Sequence, residues 1–243
     1  MFENKEGQKV PEASFKARVG GKWEEWNTNE LFSKKKVIVF SLPGAFTPTC
    51  SSSHVPRYQQ LSGAFKKLGI DAIYCVSVND AFVMDAWQED QHADAIRFIP
   101  DGNGEFTEKM GMLVNKADLG FGKRSWRYSM LVNDGKIEKM FIEPEKDGDP
   151  FEVSDADTML RYLDAKNEGV PSIALLTKPG CPYCTKAKAL LTEKGLGYDE
   201  IILGKDVSAI ALFAISGQRT TPQVFIDGKR IGGSDDLERY LKG

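Results

Sequence analysis

Four cysteines carry the reactive chemistry of this 243-residue chain: Cys50, Cys75, Cys181 and Cys184. That is too few for a disulfide scaffold of this size, so the Cys-x-x-Cys pair 181/184 reads as redox-active or metal-binding. A structural zinc site normally takes four ligands. The chain has one Cys-x-x-Cys, and its two histidines, His54 and His92, lie far away in sequence. Metal is therefore not expected. In Thr177-Lys-Pro-Gly-Cys-Pro-Tyr-Cys184, Pro182 suits a first helical turn, where its missing N–H costs nothing. Cys181 then sits at the mouth of a helix, beside unpaired N–H groups and the positive dipole end, which favours a thiolate. Cys184 shares its face and can close a disulfide with it.

Cys50 repeats the device with a single sulfur. In Pro43-Gly-Ala-Phe-Thr-Pro-Thr-Cys50, Thr47 is a good N-cap and Pro48 fits the first helical position, which puts Cys50 in the first turn. Taken alone, such a cysteine also fits a small buried hydrophobe. Cys75, among Ile, Tyr and Val, reads as a buried thiol in a strand. Gly120-Phe-Gly-Lys-Arg-Ser125 is glycine-rich but lacks phosphate-loop spacing.

The elements that position these thiols alternate between strand and helix. Val37–Leu42 and Ala72–Val78 are apolar, β-branched runs read as buried strands, with helices over Ala81–Asp90 and Asp155–Leu163. Asn133-Asp-Gly135, between strands 126–132 and 137–141, signals a hairpin. A polar stretch with Gly and Pro, 164–171, marks a seam, dividing the chain into domains 1–167 and 168–243. The second domain reads strand 173–177, helix 182–194, strand 198–202, helix 206–216, strand 223–227, hairpin at Asp227-Gly228, strand to Ile231 and helix 234–242. Both domains are α/β, with a sheet flanked by helices.

Hydrophobic content of 41%, charged content of 28% and net charge −3 are those of a globular chain without a nucleic-acid or membrane footprint. No apolar run approaches the ~18 residues of a spanning helix, and the N-terminus is no secretory signal. A cytoplasmic location is the expectation. Residues 171–243 hold 10 Lys/Arg and 8 Asp/Glu, net +2, against 22 and 27 in the remainder, net −5. The opposite signs favour encounter only mildly, because salt screens beyond ~8 Å.

Two resemblances sharpen these readings. Cys-Pro-Tyr-Cys184, with Lys178 before it, Thr220-Thr-Pro222 and Gly232-Gly-Ser-Asp-Asp236, resembles glutaredoxin over 172–243. It implies a glutathione groove in which Lys178 and Arg219 meet the glycyl carboxylate and the backbone at Thr221, beside a cis Pro222, pairs with the tripeptide. Ser234 and Asp235 would hold the γ-glutamyl end, and Tyr183 would line the cleft. Thr221 departs from the family's Val, at a position where backbone is used. Pro43-x-x-x-Thr47-x-x-Cys50, with Arg127 in Trp-Arg-Tyr-Ser-Met130, resembles the type 5 peroxiredoxins over roughly 3–165. It implies a second thioredoxin-like fold with Cys50 as peroxidatic thiol. Arg127 and backbone N–H groups would lower its pKa and, with the Thr47 hydroxyl, orient the peroxide, while Pro43 would shield the sulfenate from over-oxidation. His54 is not the family's base and is read as packing or partner contact.

Together the resemblances imply a peroxidase of hydrogen peroxide and alkyl hydroperoxides that uses glutathione as co-substrate and binds no cofactor. It would be a homo-oligomer, dimer or tetramer, in which the glutaredoxin domain of the same or a neighbouring chain resets Cys50. No resolving cysteine lies in 76–180, so the electrons must come from elsewhere; the expected route is glutathione through Cys181, with Cys184 either taking part or dispensable. The rivals are a disulfide or deglutathionylating oxidoreductase whose first domain binds clients, and a redox sensor that passes oxidation from Cys50 to a partner.

Overall fold

The computed structural model describes residues 2–166 and 169–242. The seam expected at 167/168 lies outside the described residues. The chain divides into two compact units, residues 1–58 with 65–166, and residues 59–64 with 167–243.

The first unit opens with a hairpin, β1 (Ser14–Val19) and β2 (Lys22–Asn27), and a short helix α1 (Thr28–Phe32). The central strand β3 (Lys36–Ser41) follows. Its Val37-Ile-Val-Phe40 run is fully buried, as expected of a strand covered on both faces. Each such side chain contributes about 1.5–3 kcal/mol. The loop after β3 leads to a π-helical turn, Cys50–His54, continuous with α2 (Val55–Lys67). Then come β4 (Ala72–Ser77), α3 (Ala81–Asp90), β5 (Ile96–Pro100) and α4 (Glu105–Lys109). The short pair β6 (Leu113–Asn115) and β7 (Lys123–Ser125) precedes the hairpin β8 (Tyr128–Asn133) and β9 (Lys136–Ile142), and α5 (Ala156–Leu163) closes the unit.

The five-stranded sheet runs β5-β4-β3-β8-β9. β3 is parallel to β4 and antiparallel to β8. Asp134 and Gly135 take positive φ values of 46° and 74°, the two-residue turn that Asn-Asp-Gly predicts. α5 begins where expected because the Asp155 carboxylate caps it, accepting from Thr158 N at 2.9 Å. Strand β8 starts at Tyr128, two residues later than expected, because Trp126 N donates to Met112 O at 2.7 Å outside the main sheet.

The second unit runs β10 (Ile173–Thr177), α6 (Pro182–Lys194), β11 (Asp199–Ile202), α7 (Ala209–Ser216), β12 (Gln223–Ile226), β13 (Lys229–Gly232) and α8 (Ser234–Lys242). Its sheet order is β11-β10-β12-β13, with β10 and β11 parallel and the other pairs antiparallel. The core is Ile173, Leu175, Ala187, Leu191, Val224, Ile226 and Leu237. Helix α7 starts three residues later than the expected 206, because the Asp206 carboxylate is drawn into a turn by Ile202 N at 2.7 Å and Ser208 supplies the cap. Both units are mixed α/β sheets flanked by helices. Among the described residues no helix is long and apolar enough to cross a membrane.

Candidate active site

Cys50 is fully buried at the start of the π-helical turn. The turn is wider than an α-helical one, and Val55 N reaches back to Cys50 O across five residues. The helix starts at Pro48 with Thr47 at its N-cap position, as expected, but the Thr47 side chain makes no capping bond. Its hydroxyl donates to Gly44 O at 2.8 Å and braces the preceding loop, while Ser51 N bonds Thr47 O at 3.0 Å. Pro43 is half-buried in the same loop. A residue the sequence did not single out, Asn79, holds that loop to the sheet: its Oδ1 accepts from Ala45 N at 3.0 Å and Ser77 Oγ at 2.7 Å. Trp87 Nε1 donates to Ser51 Oγ at 3.0 Å, tying the residue after Cys50 to α3.

Arg127 arrives by register. Pairing of β3 with β8 sets Tyr128 opposite Ser41, so Arg127 lies where β3 hands over to the Pro43 loop. It is 1% exposed. Burial opposes its charge, but the Cys50 sulfur and the Asp149 carboxylate outweigh this and raise its pKa. Asp149 receives Nη2 on both oxygens at 2.5 Å, a charge-assisted pair. Nη1 donates to His54 Nδ1 at 3.0 Å. His54 Nε2 bonds Ser154 O at 3.2 Å, which fixes the neutral tautomer with its proton on Nε2. Burial first, then the Arg127 charge, push the His54 pKa well below its ordinary 6.5. His54 is fully buried among Phe40, Tyr58 and Phe151 and acts as a buried acceptor, so packing describes it and partner contact does not.

Beneath this lies a second tier. The buried carboxylate of Glu143 accepts from Val153 N at 3.0 Å, Glu152 N and Ser154 N at 2.8 Å and Ser154 Oγ at 2.7 Å. It thereby shapes the loop whose Ser154 carbonyl receives both His54 and Tyr58 OH. Glu143, Asp149 and Asn79 read in sequence as ordinary polar residues. Cys75 is a buried strand thiol, as expected, and burial, then the Cys50 charge, push its pKa well up.

In the second unit Cys181 is the N-cap of α6, its sulfur accepting from Cys184 N at 3.2 Å. Burial raises its pKa, but hydrogen bonds from Cys184 and Thr221 outweigh this and lower it. Burial and Cys181 raise that of Cys184. All four cysteines are free thiols. Thr221 does more than its backbone was expected to: besides preceding a cis Pro222, it places Oγ1 3.6 Å from Cys181 Sγ. The Pro222 carbonyl lies beside Gly233, which brings the start of α8 and Ser234 to the same neighbourhood. Gly232, at φ 133°, must be glycine, because a Cβ there would collide with the Asp236 carboxylate. Lys178 and Arg219 are exposed, and neither forms an ion pair among the described residues; Arg219 stacks on Phe213 at 4.4 Å. Tyr183 is exposed. Asp235, expected to meet an ammonium, already pairs with Lys186 at 2.8 Å.

The Redoxin family matches residues 5–160 and the Glutaredoxin family residues 173–231. Over 236 residues the chain is 65% identical to the hybrid peroxiredoxin hyPrx5 of Haemophilus influenzae, spanning 97% of this chain and 98% of that protein. The chain belongs to the hybrid peroxiredoxins. The redoxin part of this hybrid peroxiredoxin is 60% identical over 169 residues to peroxiredoxin sll1621 of Synechocystis, covering 64% of this chain and 89% of that one. It superposes on reduced Prx3 of Vibrio vulnificus, crystallised with hydrogen peroxide, with a TM-score of 0.62 and 42% identity over 65% of this chain and 98% of that one. As a hybrid peroxiredoxin the protein is a thiol peroxidase with two thioredoxin-fold domains.

Proposed function

We propose that the chain reduces hydrogen peroxide and alkyl hydroperoxides with glutathione, in one cycle that uses both units. The Cys50 sulfur attacks the O–O bond; water or an alcohol leaves and Cys50 becomes a sulfenic acid. Glutathione condenses with it, releasing water and leaving a mixed disulfide on Cys50. Cys181 takes over the glutathione sulfur and frees Cys50. A second glutathione then attacks that sulfur, returning Cys181 as a thiol and leaving oxidised glutathione. The observation that carries the first half is the Arg127 guanidinium: buried, held by Asp149 and His54, and favoured in its charged form by the Cys50 sulfur as well as by Asp149. It is a preorganised cation where negative charge moves from sulfur to oxygen.

The second half rests on the lowered Cys181 pKa at the mouth of α6, with two unpaired cations, Lys178 and Arg219, in the same unit for a carboxylate ligand. A glutaredoxin-type potential of about −200 to −230 mV suits exchange with the glutathione pool. The setting we assign is the cytoplasm, where all four thiols stay reduced, and the working form a homo-oligomer. The test is peroxide-dependent oxidation of NADPH coupled through glutathione and glutathione reductase. Turnover with the full chain is the expected result. Turnover that persists in Cys50→Ser, or that does not depend on glutathione, overturns the reading.

A further inference from the structure

A cavity of about 170 Å³ lies behind the dithiol of the second unit, lined by Lys178, Cys181, Cys184, Lys188, Thr177 and Glu200. That volume holds a few waters at ~30 Å³ each. Glu200 projects from β11, and its Oε1 takes both the Thr177 hydroxyl and the Lys188 ammonium at 2.5 Å. Its Oε2 accepts no hydrogen bond among the described residues. Lys188 lies four residues after Cys184, so one face of α6 carries both the thiol and the cation that anchors the carboxylate.

We propose that Glu200 is the proton acceptor for Cys184 when the dithiol closes. The inference rests on the reading that Cys181 carries mixed disulfides. Cys184 is 3% exposed and must lose its proton before it can attack. The charged and titratable groups that line the cavity with Glu200 are Lys188 from α6, Lys178 from the β10–α6 loop and the two thiols. The lysines are cations and cannot accept; the Cys181 sulfur is engaged in the disulfide. Glu200 is then the one base lining the cavity among the described residues. The proton passes from Cys184 through cavity water to Oε2. The Cys184 thiolate attacks Cys181 Sγ; the bond from Cys181 to the bound thiol breaks as Cys181–Cys184 forms. The leaving thiolate takes a proton from solvent. Cys184 is oxidised and the departing sulfur reduced.

The test uses the full chain carrying Cys50→Ser, with Cys181 loaded either by 2-hydroxyethyl disulfide or by oxidised glutathione. Closure is followed by mass spectrometry as loss of the adduct, from pH 6 to 10. Glu200→Gln is expected to slow closure about tenfold or more near neutral pH, with the gap narrowing at high pH, where hydroxide removes the proton. Thr177→Val, which frees the carboxylate from its orienting hydroxyl, is expected to slow it less, with the same pH dependence. Wild-type rates in Glu200→Gln, or a slowing that is constant across the pH range, overturn the proposal. If Glu200→Gln does not fold, Thr177→Val decides: a slowing confined to neutral pH supports the proposal, and an unchanged rate overturns it. Should the hydroxyethyl adduct close with this pattern while no glutathione adduct forms, the proton acceptor stands and the glutathione reading falls.

Discussion

Arg127 Nη1 donates to His54 Nδ1 at 3.0 Å, inside a pocket from which both residues exclude water. The bond requires an unprotonated Nδ1, so the arginine and the histidine hold each other in one state: guanidinium charged, imidazole neutral. The histidine four residues after Cys50 is thus an acceptor that aims a cation, with no part as a base.

This has a consequence for stability against pH. The folded-state pKa of His54 lies well below 6.5, through burial first and the Arg127 charge second. The unfolded chain therefore binds the proton first as pH falls. The contribution is fully present above about pH 6.5 and is lost as pH drops through the window below it, toward the folded pKa. Thermal unfolding of wild type is expected to weaken more between pH 6.5 and 5 than that of His54→Asn; parallel curves would contradict it.

Asp149→Asn keeps the shape of the pair and removes its charge. Peroxide-dependent kcat/KM is expected to fall about tenfold, since the cation is mispositioned rather than lost. Arg127→Lys is expected to fall by 10²–10³, because an ammonium cannot serve Asp149 and His54 together. Stopped-flow oxidation of Cys50 by hydrogen peroxide reads both.

Glu143→Gln turns an acceptor of four hydrogen bonds into a group with a misdirected NH₂. A loss of about 1–3 kcal/mol of stability is expected, measured by urea unfolding. The 152–154 loop should also loosen and slow Cys50 oxidation, because its Ser154 carbonyl holds His54 and, through it, Arg127.

Thr221→Val removes the hydroxyl 3.6 Å from Cys181 Sγ while keeping the backbone. The pH profile of Cys181 alkylation is expected to shift upward, with glutathione exchange slowed at neutral pH. An unshifted profile would show that the hydroxyl is a bystander.

Trp87 Nε1 holds Ser51 Oγ next to the reacting sulfur. Its fluorescence should change when Cys50 acquires glutathione, because a buried sulfur cannot bear a tripeptide without displacing that turn. Trp87→Phe is expected to glutathionylate faster after oxidation and to be less stable by about 1 kcal/mol.

What the sequence disclosed followed from locality. Pro182 and Cys181, or Pro48 and Cys50, announce helix starts within a few residues, and the β-α-β-α-β-β-α order of the second unit follows from short periodic runs. The supports of the site were hidden because distance in sequence separates them. Asp149 sits in a charged loop, Glu145-Lys-Asp-Gly-Asp149, that reads as solvated. Glu143 reaches Ser154 only because the chain doubles back. Even His54, visible at helical spacing from Cys50, had no role until β8 delivered Arg127 to it. Thr221 was expected to act through its backbone, and only its side-chain direction shows a hydroxyl on the sulfur.

The complete burial of Cys50 sets an order of events. A small oxidant can reach a sulfur covered by its own turn with less displacement of that turn than a tripeptide needs. In the proposed cycle, the glutathione step would therefore demand the larger opening of that turn, after the peroxide step.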